Sequence, residues 1–276
     1  MIKKPSKGYL VVASRKPNFY SLAINCIESI KDYYPDAKCC LVTEEKFLDG
    51  REDIADDLIF CDDHYRAKLW GMANSPYDIT MYIDADSEIE HEDIATVFDE
   101  LNNNDMMFHK LDEKYKKVYA ITSFIYENVR EYYTYCGGVC LYDMRNPLVK
   151  DFMNDWNDLF RKQYSKELIL PMDPWQELWD FDQTTLWYLL NKVDKYKNIK
   201  VDSFKDNLRW NYFPHYERYF NAFPKDPVVI RHYSSYAQKD KSYAWYTYKQ
   251  HRCCLLYTSD AADEEDSVDL GGRRII

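Results

Sequence analysis

The chain has 276 residues, 47 Asp/Glu against 36 Lys/Arg, a net charge of −11 at pH 7, and an aromatic content of 17%, with Tyr alone contributing 26 residues. Acidity without a Lys/Arg stripe argues against duplex nucleic acid as the main ligand, and the length suits one large α/β domain or two intimate subdomains. No apolar run approaches the ~18 residues a membrane helix needs, and no signal peptide precedes Gly8, so the expectation is a soluble, cytoplasmic protein without a transmembrane segment.

In chain order, residues 9–13 (Tyr-Leu-Val-Val-Ala) predict a first buried strand, followed by a polar turn from Ser14 to Asn18. A helix comes next, with Phe19, Leu22, Ala23, Cys26, Ile27 and Ile30 at helical spacing and Pro35 as its stop. Residues 39–42 and 57–61 predict the second and third strands, and residues 63–74 a helix that carries Arg66 and Lys68. Strands alternating with helices build right-handed βαβ units, so the expected fold is α/β and Rossmann-like, a mainly parallel central sheet flanked by helices.

The fourth strand is the stretch Ile79-Thr-Met-Tyr-Ile-Asp-Ala-Asp86, a β-branched and aromatic run that ends in two carboxylates. In an open α/β sheet, ligands sit outside the carboxyl ends of strands. Two aspartates this close repel unless a cation or a shared proton holds them together. Hard divalent ions take oxygen ligands and are shared between carboxylates and substrate phosphates. Asp84 and Asp86 thus read as a metal–diphosphate site, or else as a strand end running into an acidic helix start, Ser87-Glu-Ile-Glu-His-Glu-Asp93. His91 suits that helix start better than it suits a ligand position.

Beyond Asp86, residues 92–101 predict a helix, and residues 105–109, 118–124 and 133–143 predict strands. The last of these holds Gly137 and Gly138, where a ligand or another backbone approaches closely or the strand simply bulges. A long amphipathic helix is expected over 147–164, a loop over 171–174 and a helix over 179–191 that begins near Asp182 and Gln183. Late strands at 199–204 and 228–233 enclose an aromatic loop, Trp210-Asn-Tyr-Phe-Pro214. Trp175, Trp179, Trp210 and Tyr212 are possible stacking faces, although with so many tyrosines most aromatics must belong to the core. Up to residue 253 the glycines are Gly8, Gly50, Gly71, Gly137 and Gly138, with no G-x-G-x-x-G and no Walker-type loop. Backbone amides therefore cannot be the main cradle for a phosphate. The cysteines form no C-x-x-C, and Cys136 and Cys140 lack a nearby Cys/His pair, so all read as reduced, buried thiols.

Residues 254–276 stand apart. Cys254 to Glu264 and Ser267 to Ile276 resemble the in-frame translation of a transposase sequencing adapter, with a short index between its halves. On that reading the segment is a non-native tail, the native C-terminus lies elsewhere, and the domain occupies residues 1–253. The tail holds six Asp/Glu and two Arg, so it accounts for four of the eleven net negative charges.

The order of these motifs resembles that of the GT-A glycosyltransferases, in particular the glycogenin-like and lipopolysaccharide-galactosyltransferase-like family. The landmarks are Glu28-Ser-Ile30, Pro35-Asp36, Leu41-Val-Thr-Glu44, a basic helix before Tyr82-Ile-Asp-Ala-Asp86, Cys136-Gly-Gly-Val139, Asp182-Gln183 and Ile230-Arg-His232. The resemblance implies a nucleotide-sugar donor (UDP in that family), an acceptor of unknown kind, Mn²⁺ or Mg²⁺ as cofactor, and retention of anomeric configuration. It further implies a donor half up to about residue 105 and an acceptor half over 106–253. By the same resemblance Asp84, Asp86 and His232 would hold the metal. Asp182 and Gln183 would be the catalytic pair. Ser14, Arg15, Arg66, Lys68, Asp84, Gly137, Gly138 and Lys239 would contact the donor. Arg66 and Lys68 read equally well as a solvated helix face. The chain departs from the family in three places: Ser14-Arg-Lys-Pro-Asn18 replaces the Asp/Asn-rich uridine turn, Cys136 replaces Asn, and the segment after His232 lacks the Gly and Pro-Trp, leaving the donor-clamping lysine to Lys239, to Lys241 or to the native segment that the tail replaces. Two other classes stay open at this level, a non-catalytic sugar-nucleotide binder and a carboxylate or metal hydrolase. Glycosidase pairs need ~5–9 Å between carboxylates, more than a D-x-D provides.

The tail gives a first prediction. Deleting residues 254–276 should leave the melting temperature unmoved within about a degree, as expected for a segment outside the cooperative unit. A large drop in a thermal melt would show that the tail is native.

Overall fold

The computed structural model describes residues 4–62, 64–110, 135–168, 181–213 and 222–233. Its centre is a seven-stranded sheet with the order β3-β2-β1-β4-β7-β6-β8. The strands are β1 Lys7–Ala13, β2 Cys39–Thr43, β3 Asp57–Phe60, β4 Ile79–Asp84, β6 Met106–Lys110, β7 Tyr135–Asp143 and β8 Val201–Ser203, and the remaining pair, β5 Ser87–Ile89 and β9 Ile230–His232, forms a separate two-stranded sheet. β1 pairs in parallel with both β2 and β4, and β2 with β3; β7 alone in the large sheet runs against its neighbours. This is a mostly parallel α/β sheet, as the alternating pattern of the sequence requires.

Every residue of β2 and β4 is buried, which is why these strands read as continuous apolar runs rather than alternating ones. Side chains alternate between two cores. Tyr9, Val11, Ile79, Met81 and Ile83 pack on the face covered by helix α1 (Pro17–Tyr33), while Leu10, Val12, Tyr82, Phe108 and Trp156 pack on the opposite face. Helices α2 (Ala67–Ala73), α3 (Pro147–Tyr164) and α4 (Asp182–Lys192) carry residues of that second core. Pro17 starts α1 with a φ already suited to a helix, and Pro35 lies just past its end, where Tyr34 N–H bonds to the Ile30 carbonyl. Asn146 caps α3 by accepting a hydrogen bond from Leu148 N at 3.0 Å, ahead of Pro147 at the first helical position.

Several expectations need correcting. Residues 87–89 form strand β5 rather than the start of an acidic helix, because their backbone groups find partners on β9. Glu92–Leu101 winds as a 3₁₀ helix, with Ile94 and Val97, and Phe98 and Leu101, buried at three-residue intervals that suit its tighter turn. The helix that carries Lys68 begins only at Ala67, since Arg66 takes a left-handed backbone. β7 runs unbroken through Gly137 and Gly138, but its register against β6 jumps from Phe108↔Cys140 to His109↔Cys136, so the glycines lie in a bulge. The strand expected at 118–124, the loop at 171–174 and Trp175 and Trp179 lie outside the described residues. No helix among the described residues is long and apolar enough to cross a membrane.

His109 on β6 is 1% exposed, and its Nδ1–H donates to the Asn207 carbonyl at 3.1 Å. Burial, reinforced by the nearby His232, pushes its pKa down to about 4 despite that bond. The unfolded chain therefore takes up a proton near pH 6.5 while the folded chain does not, and stability falls as pH drops from about 6.5 towards about 4. Denaturant melts of the wild-type chain and His109→Gln between pH 7.5 and 4.5 should show the wild type losing of the order of 2 kcal/mol more than the variant. Parallel pH profiles would refute a neutral, buried His109.

Candidate metal centre

Asp84 is the last residue of β4, paired in register with Val12 of β1. The two-residue alternation puts its side chain on the face of Tyr82, whose hydroxyl donates to Asp84 Oδ1. Two residues on, Asp86 precedes β5. The β5–β9 ladder pairs Ser87 with His232 and Ile89 with Ile230, and Tyr233 N–H donates to the Asp86 carbonyl at 2.9 Å. A histidine far along the chain is thereby set beside the acidic strand end. Side chains reinforce this small sheet: Arg231 donates to Glu90 Oε2 at 2.7 Å, and Tyr233 OH to Glu88 Oε2 at 2.9 Å.

The three side chains converge. His232 Nε2 lies 3.0 Å from Asp86 Oδ1 and 3.7 Å from Asp84 Oδ2, and one donor atom from each residue falls within 4.8 Å of the others. Asp84, Asp86 and His232 are 6%, 8% and 0% exposed. Asp84 Oδ2 is buried without a hydrogen-bond partner among the described residues, an arrangement that is costly unless something else satisfies the oxygen. The donors stand against Gly138 on β7. A Cβ there would lie 2.7 Å from His232 Cε1 and 2.8 Å from Asp84 Oδ2, so the space exists only because the residue is glycine. Bonds of about 2.1 Å to a hard divalent cation put neighbouring ligand atoms about 3 Å apart. Two carboxylates and an imidazole on one spot, with an oxygen to spare, fit such an ion.

The electrostatics around the carboxylates are tightly balanced. Burial and, to a lesser extent, the charge of Asp86 push the Asp84 carboxyl up, while Lys68, His232 and the Tyr82 hydroxyl pull it down. Lys68 on α2 is itself buried, with Nζ 3.6 Å from Asp84 Oδ1 and 3.0 Å from Asp182 Oδ2. It therefore ties the tip of β4 to the first residue of α4. Asp182 is fully buried at that helix start, where the helix dipole favours a negative charge, and its carbonyl accepts the Trp156 indole N–H at 3.0 Å. Gly137 is the residue beside it, since a Cβ there would meet Asp182 Oδ2 at 3.3 Å.

Cationic groups line the same cleft as Asp84 and Asp86. Arg15 and Arg66 both adopt left-handed backbones, with φ of 70° and 59°, unusual for residues other than glycine. Their guanidinium groups lie 5.2 and 4.6 Å from the centroid of one ring, Tyr65, which stacks on Tyr164 at 4.2 Å. Ser14, Arg15, Arg66, Lys68, Asp84 and Asp86 all line a single cleft at the carboxyl ends of β1 and β4.

The structure thus brings together most of the residues singled out from the sequence. His232, Gly137, Gly138 and Asp182 adjoin the same group. Gln183 does not share the cleft: it lines a second cavity with Tyr135, Leu186 and Trp187. Lys239 and Lys241 lie outside the described residues. His91 caps the 3₁₀ helix, its Nδ1 accepting from Asp93 N at 3.2 Å. Sequence reasoning missed Tyr65, Tyr82 and Asn211. The period of β4 contains the signal for Tyr82, which falls on the side of Asp84; nothing local marks Asn211, whose amide oxygen lies 2.9 Å from His232 Nδ1.

No protein-family model and no curated protein matches the sequence. Solved structures do match in three dimensions. The glycosyltransferase GlyE of Streptococcus pneumoniae TIGR4 aligns over 96% of this chain and 64% of its own, at 13% identity and a TM-score of 0.55. The bifunctional glycosyltransferase WbbM aligns over 96% of this chain and 52% of its own, at 13% identity and a TM-score of 0.54. This chain therefore spans between half and two thirds of their lengths. The galactosyltransferase LgtC aligns over 96% and 97% of the two chains at 16% identity, with a TM-score of 0.49, too loose a superposition to add to the fold assignment. The fold is GT-A.

Gly138→Ala tests the centre directly. The added methyl must displace His232 or Asp84, so Mn²⁺ affinity measured by calorimetry should fall roughly tenfold or more, with a stability loss of about 1–3 kcal/mol from overpacking. Unchanged Mn²⁺ binding would mean that these side chains do not hold the ion.

Proposed function

We propose that the chain is a metal-dependent glycosyltransferase that moves a sugar from a nucleotide-diphosphate donor, a UDP-sugar by the resemblance, to an acceptor with retention of configuration. The observation that carries this reading is the convergence of three buried metal-donor residues, two of which line a cleft together with Arg15, Arg66 and Lys68. Asp84, Asp86 and His232 would hold Mn²⁺ or Mg²⁺. When bound, such a cation supplies Lewis-acid stabilisation to the diphosphate charge that grows as the sugar departs.

The remaining steps belong to the protein's own groups. Arg15 and Arg66 offer planar forks of donors to phosphate oxygens, and Lys68 a compact charge between the strand tip and Asp182. Ser14 lines the same cleft. Gly137 and Gly138 leave room for the sugar to approach the β7 backbone. Asp182, anchored at its helix start, orients sugar hydroxyls; Gln183, the other member of the catalytic pair by the resemblance, lines the second cavity instead. Lys239 would clamp the donor from the segment beyond β9. The donor half corresponds to residues up to about 105, and the acceptor half to residues 106–253.

The test pairs a donor panel with one substitution. UDP-, GDP- and CMP-sugars incubated with the full chain should show slow donor hydrolysis with one nucleotide class, dependent on Mn²⁺ and abolished by chelation. Asp86→Asn should lower that rate by about a hundredfold or more while the circular-dichroism spectrum is unchanged, since one charged metal ligand is lost. Full activity with the same Mn²⁺ dependence in Asp86→Asn would overturn the assignment, and saturable donor binding without turnover would reduce the protein to a binding relative.

A further inference from the structure

Only one nitrogen of His232 faces the carboxylates. The other, Nδ1, lies 2.9 Å from Asn211 Oδ1, and the ring packs on Phe213 with centroids 4.4 Å apart. Asn211 is fully buried immediately after helix α5 (Asn207–Trp210), and its neighbour Tyr212 bridges to Arg231 of β9. Its Nδ2 points away from the histidine and donates to Cys136 Sγ at 3.7 Å. Cys136 lies in β7 two residues before Gly138. The Gly138 backbone also hydrogen-bonds to this sulfur, and burial pushes the thiol up to about 12, so it stays protonated and uncharged.

An amide has two distinct ends, and which end meets the imidazole decides the tautomer. With its NH₂ on the sulfur, Asn211 presents an oxygen to Nδ1, which must then carry the proton. The lone pair of Nε2 is left to face a cation beside Asp84 and Asp86. A reversed amide would place the proton on Nε2 and close that position. Sulfur is a weak hydrogen-bond partner, so the strong acceptor of Asn211 is committed to the histidine. The position where the resembling family has Asn is Cys here, and its sulfur is the group that holds the Asn211 amide.

We infer that Asn211, held from behind by Cys136, is the positioning residue that fixes the His232 imidazole for cation binding; the inference rests on the metal reading above. It joins β7, the segment after α5 and β9 in one three-residue relay behind the site. Asn211 touches neither the donor nor the ion in this role.

The test uses the full chain labelled with ¹⁵N-histidine, with the His232 resonances assigned by their loss in His232→Gln. Nδ1 of His232 should carry a proton protected from exchange, both without metal and with Mg²⁺. Asn211→Leu should lose that protected proton and weaken Mn²⁺ binding by about 10- to 100-fold in calorimetry. Asn211→Asp, whose carboxylate still accepts from Nδ1–H, should keep the proton and bind Mn²⁺ within a few-fold of wild type. A wild-type Nδ1 without a proton overturns the inference even if no variant folds, because it means the amide is reversed. Undiminished Mn²⁺ affinity in a folded Asn211→Leu overturns it too. Failure of the wild-type chain to bind Mn²⁺ overturns the metal reading instead, and is told apart because the Nδ1 proton still reports whether Asn211 holds the ring.

Discussion

Two carboxylates buried one residue apart are the constraint from which the site's arrangement follows. At an effective dielectric constant near 20, like charges about 5 Å apart cost about 3 kcal/mol, a sizeable part of the stability of an ordinary domain. Asp84 and Asp86 can both stay ionised at the end of a buried strand only if positive charge surrounds them; otherwise they share a proton, the direction in which burial pushes Asp84. The fold supplies that charge as Lys68, from the helix before β4, while the last described strand brings the His232 imidazole up to Asp86 as a third donor. Each doubles as a structural tie, so the electrostatic demand of one acidic turn helps to hold α2, α4 and β9 in place.

The second sheet shows how little backbone this takes. Three residues of β5 and three of β9 make a ladder, extended by Tyr233 N–H to the Asp86 carbonyl and Glu90 N–H to the Val229 carbonyl. A ladder that short is weak by itself. Its ion pair between Arg231 and Glu90 is mostly shielded from water, and Ile89 and Ile230 join the main core on the α1 face. Position in the ladder then fixes chemistry: a shift of one residue would turn His232 away from Asp86, because successive side chains on a strand point to opposite faces.

Legibility in the sequence followed the range of the interactions involved. The first four strands were readable because each is a buried run bounded by turns or charges, and the acidic pair was readable because it ends one of them. Asp182, Arg66 and Lys68 were placed by motif order and do converge on the site. Ser87-Glu-Ile-Glu could not be read as a strand, since its pairing partner, residues 230–232, lies some 140 positions away and its composition favours a helix start. Asn211 gave no local signal for the same reason, being defined by contacts to His232 and Cys136 on two other elements. Gln183 shows the limit of motif order: its place beside Asp182 in sequence does not put it in the same cleft, because consecutive helical residues point about 100° apart.

The scarcity of glycine bears on how a diphosphate would be held. A glycine-rich loop offers backbone N–H groups to phosphate at little steric cost, whereas this chain would present phosphate with side chains. Long cationic side chains bring a penalty of their own, because fixing an Arg or Lys costs up to about 2 kcal/mol of rotamer entropy. Arg15 and Arg66 are already constrained before any ligand arrives. Both sit in left-handed turns, both stack on the Tyr65 ring, and the Arg15 backbone N–H is held by Glu44. Strain of order 1–3 kcal/mol per residue is tolerated where the surrounding structure fixes it, and here the two strained residues line the same cleft as Asp84 and Asp86. For the diphosphate donor proposed above, the ordering cost that a flexible basic loop would meet on binding would thereby be met on folding, which is the physical content of preorganisation in a cleft without a glycine cradle.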